Sequence, residues 1–288
     1  MKQPFFQGAC TALVTPFLNG KVNFPMLEQL ILRQLQSGVH ALVLCGTTGE
    51  SPTLSDEEKL EIFVHAKECA PNAKIICGTG SNDTRHAIAL SQAAEAQGAD
   101  ALLIVSPYYN KATPKGLIDH YSAIAASVHI PIILYNVPSR TGVDIPVSVY
   151  KELSQIPNIA GVKEASTDIT KTAKILAQCP DHFCVWSGND DMTVPILSLG
   201  GSGVISVVSN VAPMEVQEMC MAAFSGSYDM ATEIQIELME LTAALFSEVN
   251  PIPVKAAMKL IGFDCGPCRP PLSDPSSDTL QKLTALLS

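Results

Sequence analysis

Lys163 ends an otherwise apolar run, Ile159-Ala-Gly-Val-Lys163, so its amine is expected to point into the mouth that the strand ends form, where it can do chemistry. A lysine taken out of water gives up its proton more readily, and the neutral amine is the nucleophile that forms a Schiff base with a carbonyl. The residues alone leave two other readings open: a lysine emerging into solvent at a strand end, or one paired with Glu164. Tyr135 closes a second apolar run. A phenol near an amine can carry protons through carbinolamine formation and dehydration, or it can simply pack its ring at a core edge. Arg140 follows five residues later in a proline-containing turn, where a guanidinium can grip a carboxylate with two hydrogen bonds or stand as an ordinary surface group. Thr47-Thr48-Gly49 offers two hydroxyls and free amides, a nest for a small carboxylate or merely a tight turn.

Other signals carry less. Gly78-Thr-Gly80 begins like a dinucleotide-binding turn but lacks the third glycine. Gly200-Gly-Ser-Gly203 precedes a strand instead of opening a helix, so it makes a poor phosphate cradle. Cys265-Gly-Pro-Cys268 has redox spacing without the strand–helix context, and no second pair follows for zinc. His65 and His86 fall in helical stretches as surface residues, and Tyr108-Tyr109 reads as a pair of interface aromatics. No metal-ligand spacing occurs at the strand ends, so no metal site is expected.

The elements that must position these groups repeat. Eight Val-, Ile- and Leu-rich runs recur: Ala9–Val14, Ala41–Leu44, Ile75–Cys77, Ala101–Val105, Ile130–Tyr135, Ile159–Lys163, Phe183–Trp186 and Val204–Val208. Their starts lie about 20 to 35 residues apart, the length of a strand plus a crossover helix. Runs apolar at successive positions suit strands covered on both faces, as in parallel sheets. Ser55 with Glu58 forms a capping box that opens a helix. Gly38 and Gly98 stand where a left-handed cap ends a helix before a buried strand. The pattern predicts an α/β chain, a closed (β/α)8 TIM barrel over residues 1–224. A helical C-terminal appendage over 225–288 would hold helices at Tyr228–Phe246, Pro253–Leu260 and Thr279–Leu287.

Composition narrows the function classes. Eighteen basic against 28 acidic side chains give a formal charge of −10, and the four arginines lie in no basic run, which argues against nucleic acid as the main partner. With 47% apolar and 16% charged residues, disorder is excluded. The longest uncharged stretch, Met192 to Met214, is interrupted by Pro195, Gly200, Gly201 and Gly203, which argues against a membrane span. The first residues make a poor signal peptide, and nine scattered cysteines read as reduced thiols. Together these place the chain in the cytoplasm.

Five segments, GTTGES at 46–51, SPYYN at 106–110, YNVPSRTG at 135–142, GVKEAS at 161–166 and GVISVVSNVAP at 203–213, closely resemble the dihydrodipicolinate synthase family of pyruvate-dependent class I aldolases. The resemblance is collinear and spans almost the whole chain. N-acetylneuraminate lyase and related pyruvate lyases share the lysine and tyrosine, whereas Thr47-Thr48 with Arg140 favours the synthase. A sister aldolase, or a barrel without catalysis, is the alternative.

The resemblance implies condensation of pyruvate with L-aspartate-4-semialdehyde through a Schiff base on Lys163, toward lysine and diaminopimelate. It implies a proton relay of Tyr135, Thr47 and Tyr109, the last from a neighbouring subunit of a homotetramer built from tight dimers. Thr48 would hold the pyruvate carboxylate, Arg140 the carboxylate of the aldehyde, and Gly188 and Ile205 would line the pyruvate pocket. No cofactor is implied. At the effector site of feedback-regulated members, Ser51, Asn82 and Tyr108 remain. The matching helix starts read Asp56-Glu-Glu-Lys59 and Asn82-Asp-Thr-Arg-His86, and Lys59 and His86 would repel a cation, so weak or absent lysine inhibition is expected.

Overall fold

The computed structural model describes residues 4–39 and 41–287. Ten strands are β1 (Gly8–Ala12), β2 (Phe17–Leu18), β3 (Lys21–Val22), β4 (Ala41–Leu44), β5 (Lys74–Gly78), β6 (Ala101–Val105), β7 (Ile132–Asn136), β8 (Ile159–Glu164), β9 (Cys184–Ser187) and β10 (Gly203–Ser206). All but β2 and β3 close a parallel barrel in the order β1-β10-β9-β8-β7-β6-β5-β4, with β1 bonded to both β10 and β4. The eight apolar runs of the sequence are these eight strands. The antiparallel β2–β3 hairpin at the first strand's exit is an addition that two-residue strands do not announce.

The helices that bear on the site are α1 (Phe24–Gln36), α2 (Asp56–Cys69), α3 (Thr84–Ala96), α4 (Pro114–Ala125), α5 (Pro138–Thr141), α6 (Val147–Leu153) and α7 (Ile169–Gln178). They are followed by α8 (Thr193–Ser198), α9 (Pro213–Phe224), α10 (Tyr228–Glu237), α11 (Met239–Leu245), α12 (Ile252–Leu260) and α13 (Ser277–Leu287). The single helix expected over Tyr228–Phe246 is two, α10 and α11, broken at Leu238. The capping box at Ser55 and Glu58 is formed in both directions, and Gly38 and Gly98 sit at φ +80° and +84°. Gly203 has a different reason to be glycine: a side chain there would overlap the Gly8 carbonyl of the neighbouring strand. Among the described residues, no helix is long and apolar enough to cross a membrane.

Two apolar layers result, because strand residues alternate between faces. Leu42, Leu44, Ile104, Leu134 and Val162 face the helices. Val43, Ile76, Leu103, Ile133, Trp186 and Ile205 fill the barrel interior. Phe6 stacks on Trp186 at 4.9 Å and accepts its indole N–H through the backbone carbonyl at 3.1 Å. That plug seals the barrel's N-terminal end, so the opposite mouth is the open one.

Between α3 and α4, His120 is buried, with Nδ1 2.8 Å from Thr84 Oγ1 and Nε2 unpartnered. Burial pushes its imidazole down to about 4, the Asp83 charge opposing only in part. The folded chain therefore stays neutral there while the unfolded chain protonates below about 6.5, so this contribution is complete above that pH and is lost as the pH falls toward 4. Chemical denaturation at pH 7 and pH 5 should show a loss of about 2 kcal/mol assignable to this group, and His120→Gln should remove that part of the slope.

Candidate active site

The position of Lys163 depends on one extra residue. Strand β8 pairs with β7 as Ile132↔Ile159 and then Ile133↔Gly161, a bulge that passes over Ala160. Ile159 faces the helices. With strict alternation residue 163 would also face them, but the bulge inverts the parity. Lys163 then lies opposite Tyr135, a residue of the barrel interior. Gly161 permits the close packing, because a side chain there would overlap the Cys184 carbonyl of β9.

Lys163 is buried, and its Nζ lies 4.4 Å from the centroid of the Tyr135 ring. The same parity turns Glu164 outward, which rules out a Lys163–Glu164 pair. Glu164, fully buried, accepts from Asn136 Nδ2 at 2.8 Å, the Ser166 amide at 2.8 Å and the Tyr150 hydroxyl at 3.3 Å, with Lys171 Nζ at 3.6 Å. Beside Gly188, a Cβ would press on the Lys163 stem and Ala165, so glycine leaves the amine its room. Ile205, fully buried, forms part of the interior wall.

Opposite, the turn after β4 is held from below. Cys45 and Glu50 take positive φ of 52° and 57°, conformations that cost non-glycine residues about 1–3 kcal/mol each and persist only where surroundings enforce them. The C-terminal region supplies the restraint. Asn250 Nδ2 donates to Thr48 Oγ1 at 2.9 Å, and Lys255 Nζ donates to Glu50 Oε1 at 2.9 Å and to the Thr15 carbonyl at 3.1 Å. The Arg269 amide donates to Glu50 Oε2 at 2.8 Å, and its guanidinium bonds both Glu58 oxygens. That guanidinium holds the Glu58 carboxyl below the usual range against its partial burial.

A cleft of about 820 Å³ opens beside this centre, lined by Thr47, Tyr135, Arg140, Tyr108, Tyr109 and Ser51 among others. Arg140 is exposed on the short α5, and Thr48 is buried in the turn beside Thr47, its Oγ1 held by Asn250. Tyr109 is 86% exposed with φ +72°, projecting away from its own chain's core. At the far edge Asp56 is gripped twice: His86 Nε2 lies 2.7 Å from one oxygen and Lys59 Nζ 3.4 Å from the other. Partial burial would raise that carboxyl, but the hydrogen bonds from His86 and Lys59 outweigh it and hold it low. Asn82 Nδ2 reaches the Tyr108 carbonyl at 3.4 Å.

The dihydrodipicolinate synthetase family model matches residues 5–288. The chain belongs to this family. The 4-hydroxy-tetrahydrodipicolinate synthase of Acetivibrio thermocellus is 46% identical over 288 residues, covering 100% of this chain and 98% of that protein. A monomeric dihydrodipicolinate synthase variant superposes with a TM-score of 0.96 at 42% identity, covering 98% of this chain and 96% of its own. The chloride-inhibited enzyme of Acinetobacter baumannii, solved with pyruvate, gives 0.96 at 40% identity and 98% coverage of both chains.

Several groups that hold this centre together escape sequence reasoning. Asp190 is buried, accepting from Ser206 Oγ and the amides of Val207 at 3.0 Å and Val208 at 3.4 Å, and it feels the Lys163 charge. Burial raises its carboxyl despite those bonds. It ties the β9 exit to the β10 exit, and its place just after Gly188-Asn189 at a strand end was the available signal. Asn250, Lys255 and Arg269 lie some 200 residues from the turn they restrain, beyond any local pattern. Replacing Lys255 by Met leaves the Glu50 charge buried without its ion-pair partner, so denaturation should show a loss of about 3–5 kcal/mol.

Proposed function

We propose that this chain condenses pyruvate with L-aspartate-4-semialdehyde to 4-hydroxy-tetrahydrodipicolinate, the reaction named for its relatives, through a Schiff base on Lys163. The observation that carries the reading is the buried Lys163 amine over the Tyr135 ring, with no ion-pair partner among the described residues, at the C-terminal end of the barrel strands. Barrels of this kind place their reactive groups there.

The pyruvate carboxylate sits against Thr48 and neighbouring amides of the turn, bringing its C2 to the amine. Lys163 Nζ adds to that carbon, and the carbinolamine oxygen is protonated and leaves as water. Tyr135 passes the protons, relayed by Thr47 and by Tyr109 of a neighbouring subunit. Loss of a methyl proton gives the enamine, whose carbon attacks the aldehyde of a substrate that Arg140 holds by its carboxylate. The substrate's own amine then adds to the Schiff-base carbon and expels Lys163, closing the ring. Gly188 and Ile205 shape the pocket for a three-carbon acid. The exposed, positive-φ Tyr109 supports a homotetramer built from tight dimers, and the scattering of cysteines through apolar segments supports a cytoplasmic setting.

Borohydride added with pyruvate should leave one reduced adduct, mapped by mass spectrometry to Lys163 and missing in Lys163→Ala. An adduct elsewhere, or none, overturns the reading, and faster turnover of N-acetylneuraminate than of aspartate semialdehyde would favour the sister aldolase. Tyr135→Phe should lower kcat by about 100-fold or more.

The candidate effector site of Ser51, Asn82, His86 and Tyr108 carries a second reading. Asp56 is already occupied by Lys59 and His86, leaving two basic groups where a cationic effector would lie. Lysine titration of the initial rate should show weak or no inhibition, and half-inhibition at low lysine concentration would contradict this.

A further inference from the structure

On the outer face of the helical layer, α1 and α2 bring three donors of different type to one point. His65 and Cys69 stand one turn apart on α2 and share a face, with Cys69 Sγ 3.4 Å from His65 Nε2. Glu28 of α1 completes the group, and the three ligand atoms all lie within 4.8 Å of one another. Glu28 is exposed and the other two are half-buried, so solvent reaches them. Sequence alone assigns His65 only to a helix surface.

We infer that Glu28, His65 and Cys69 form a binding site for one borderline-soft divalent cation of the zinc class, with water completing the coordination. Imidazole nitrogen, thiolate sulfur and carboxylate oxygen are the donors such ions take. Bonds of zinc to these donors place neighbouring ligand atoms about 3.3–3.8 Å apart in a tetrahedron. The sulfur–nitrogen pair already has that spacing, and the exposed Glu28 side chain closes the remainder by a small rotation.

The ring of Phe24, 5.0 Å from the imidazole centroid, fixes His65. Cys69 Sγ and His65 Nε2 share a hydrogen bond, and the cation takes the place of the thiol proton between them. The S–H bond breaks, an S–metal bond forms, and one proton passes to solvent. Burial, then the Glu28 and Glu68 carboxylates, hold the free thiol above its ordinary range. The same negative field attracts a dication, and one thiolate with one carboxylate neutralises it. An ion here fastens the end of α2 to α1.

The test uses the full chain, reduced and stripped of metal with chelator, titrated with Co²⁺ and then Zn²⁺. The expected result is one Co²⁺ per chain with a thiolate-to-cobalt charge-transfer band, one proton released, displacement by Zn²⁺ and a raised Tm. Cys69→Ser should abolish the band and Cys268→Ser should leave it. Glu28→Gln, a surface change that leaves folding alone, should weaken binding by about tenfold or more. A wild-type chain without the band, a band that survives Cys69→Ser, or a Glu28→Gln chain of unchanged affinity overturns the assignment.

Discussion

A single added residue in β8 governs the site. Because side chains alternate along a strand, the residue passed over at Ala160 decides which of two adjacent charged groups enters the barrel. Lys163 goes in, over the Tyr135 ring, and Glu164 goes out, into a network of Asn136, Tyr150 and Lys171. Without the bulge the carboxylate would occupy the mouth and the amine would face the helices. The two charges are thereby separated by the sheet itself, which leaves the amine free of the pairing that would occupy it.

The second constraint runs through the C-terminal region. Helices α10 to α13 extend beyond the barrel, yet Asn250, Lys255 and Arg269 reach back to the turn after β4. Two non-glycine residues in that turn hold positive φ, and the buried Lys255–Glu50 pair is their counterweight. The region added after the barrel thus sets the geometry of Thr47 and Thr48. Asp190 does the same between the β9 and β10 exits.

Much of this was legible in the residues. The eight apolar runs, the capping box at Ser55 and the caps at Gly38 and Gly98 rest on local chemistry, and local chemistry is what a sequence displays. Lys163, Tyr135, Thr47 and Arg140 stand at strand ends, where topology alone gathers them around one mouth. The bulge that sets the parity of Lys163 was not legible, since Ala160 looks like any other strand residue until its pairing is known. The restraint of the turn was also hidden, because its partners lie some 200 residues away in sequence. The break at Leu238 has no glycine or proline to announce it.

On the proposed function, the Lys163 amine, pointing into the barrel, takes up a keto acid there. A crystal structure of the chain soaked with pyruvate tests it most directly. Continuous density should run from Lys163 Nζ to the second carbon of pyruvate, beside the phenol of Tyr135 with the carboxylate at Thr48. An unmodified Lys163 facing the helices, or pyruvate bound elsewhere, would contradict it.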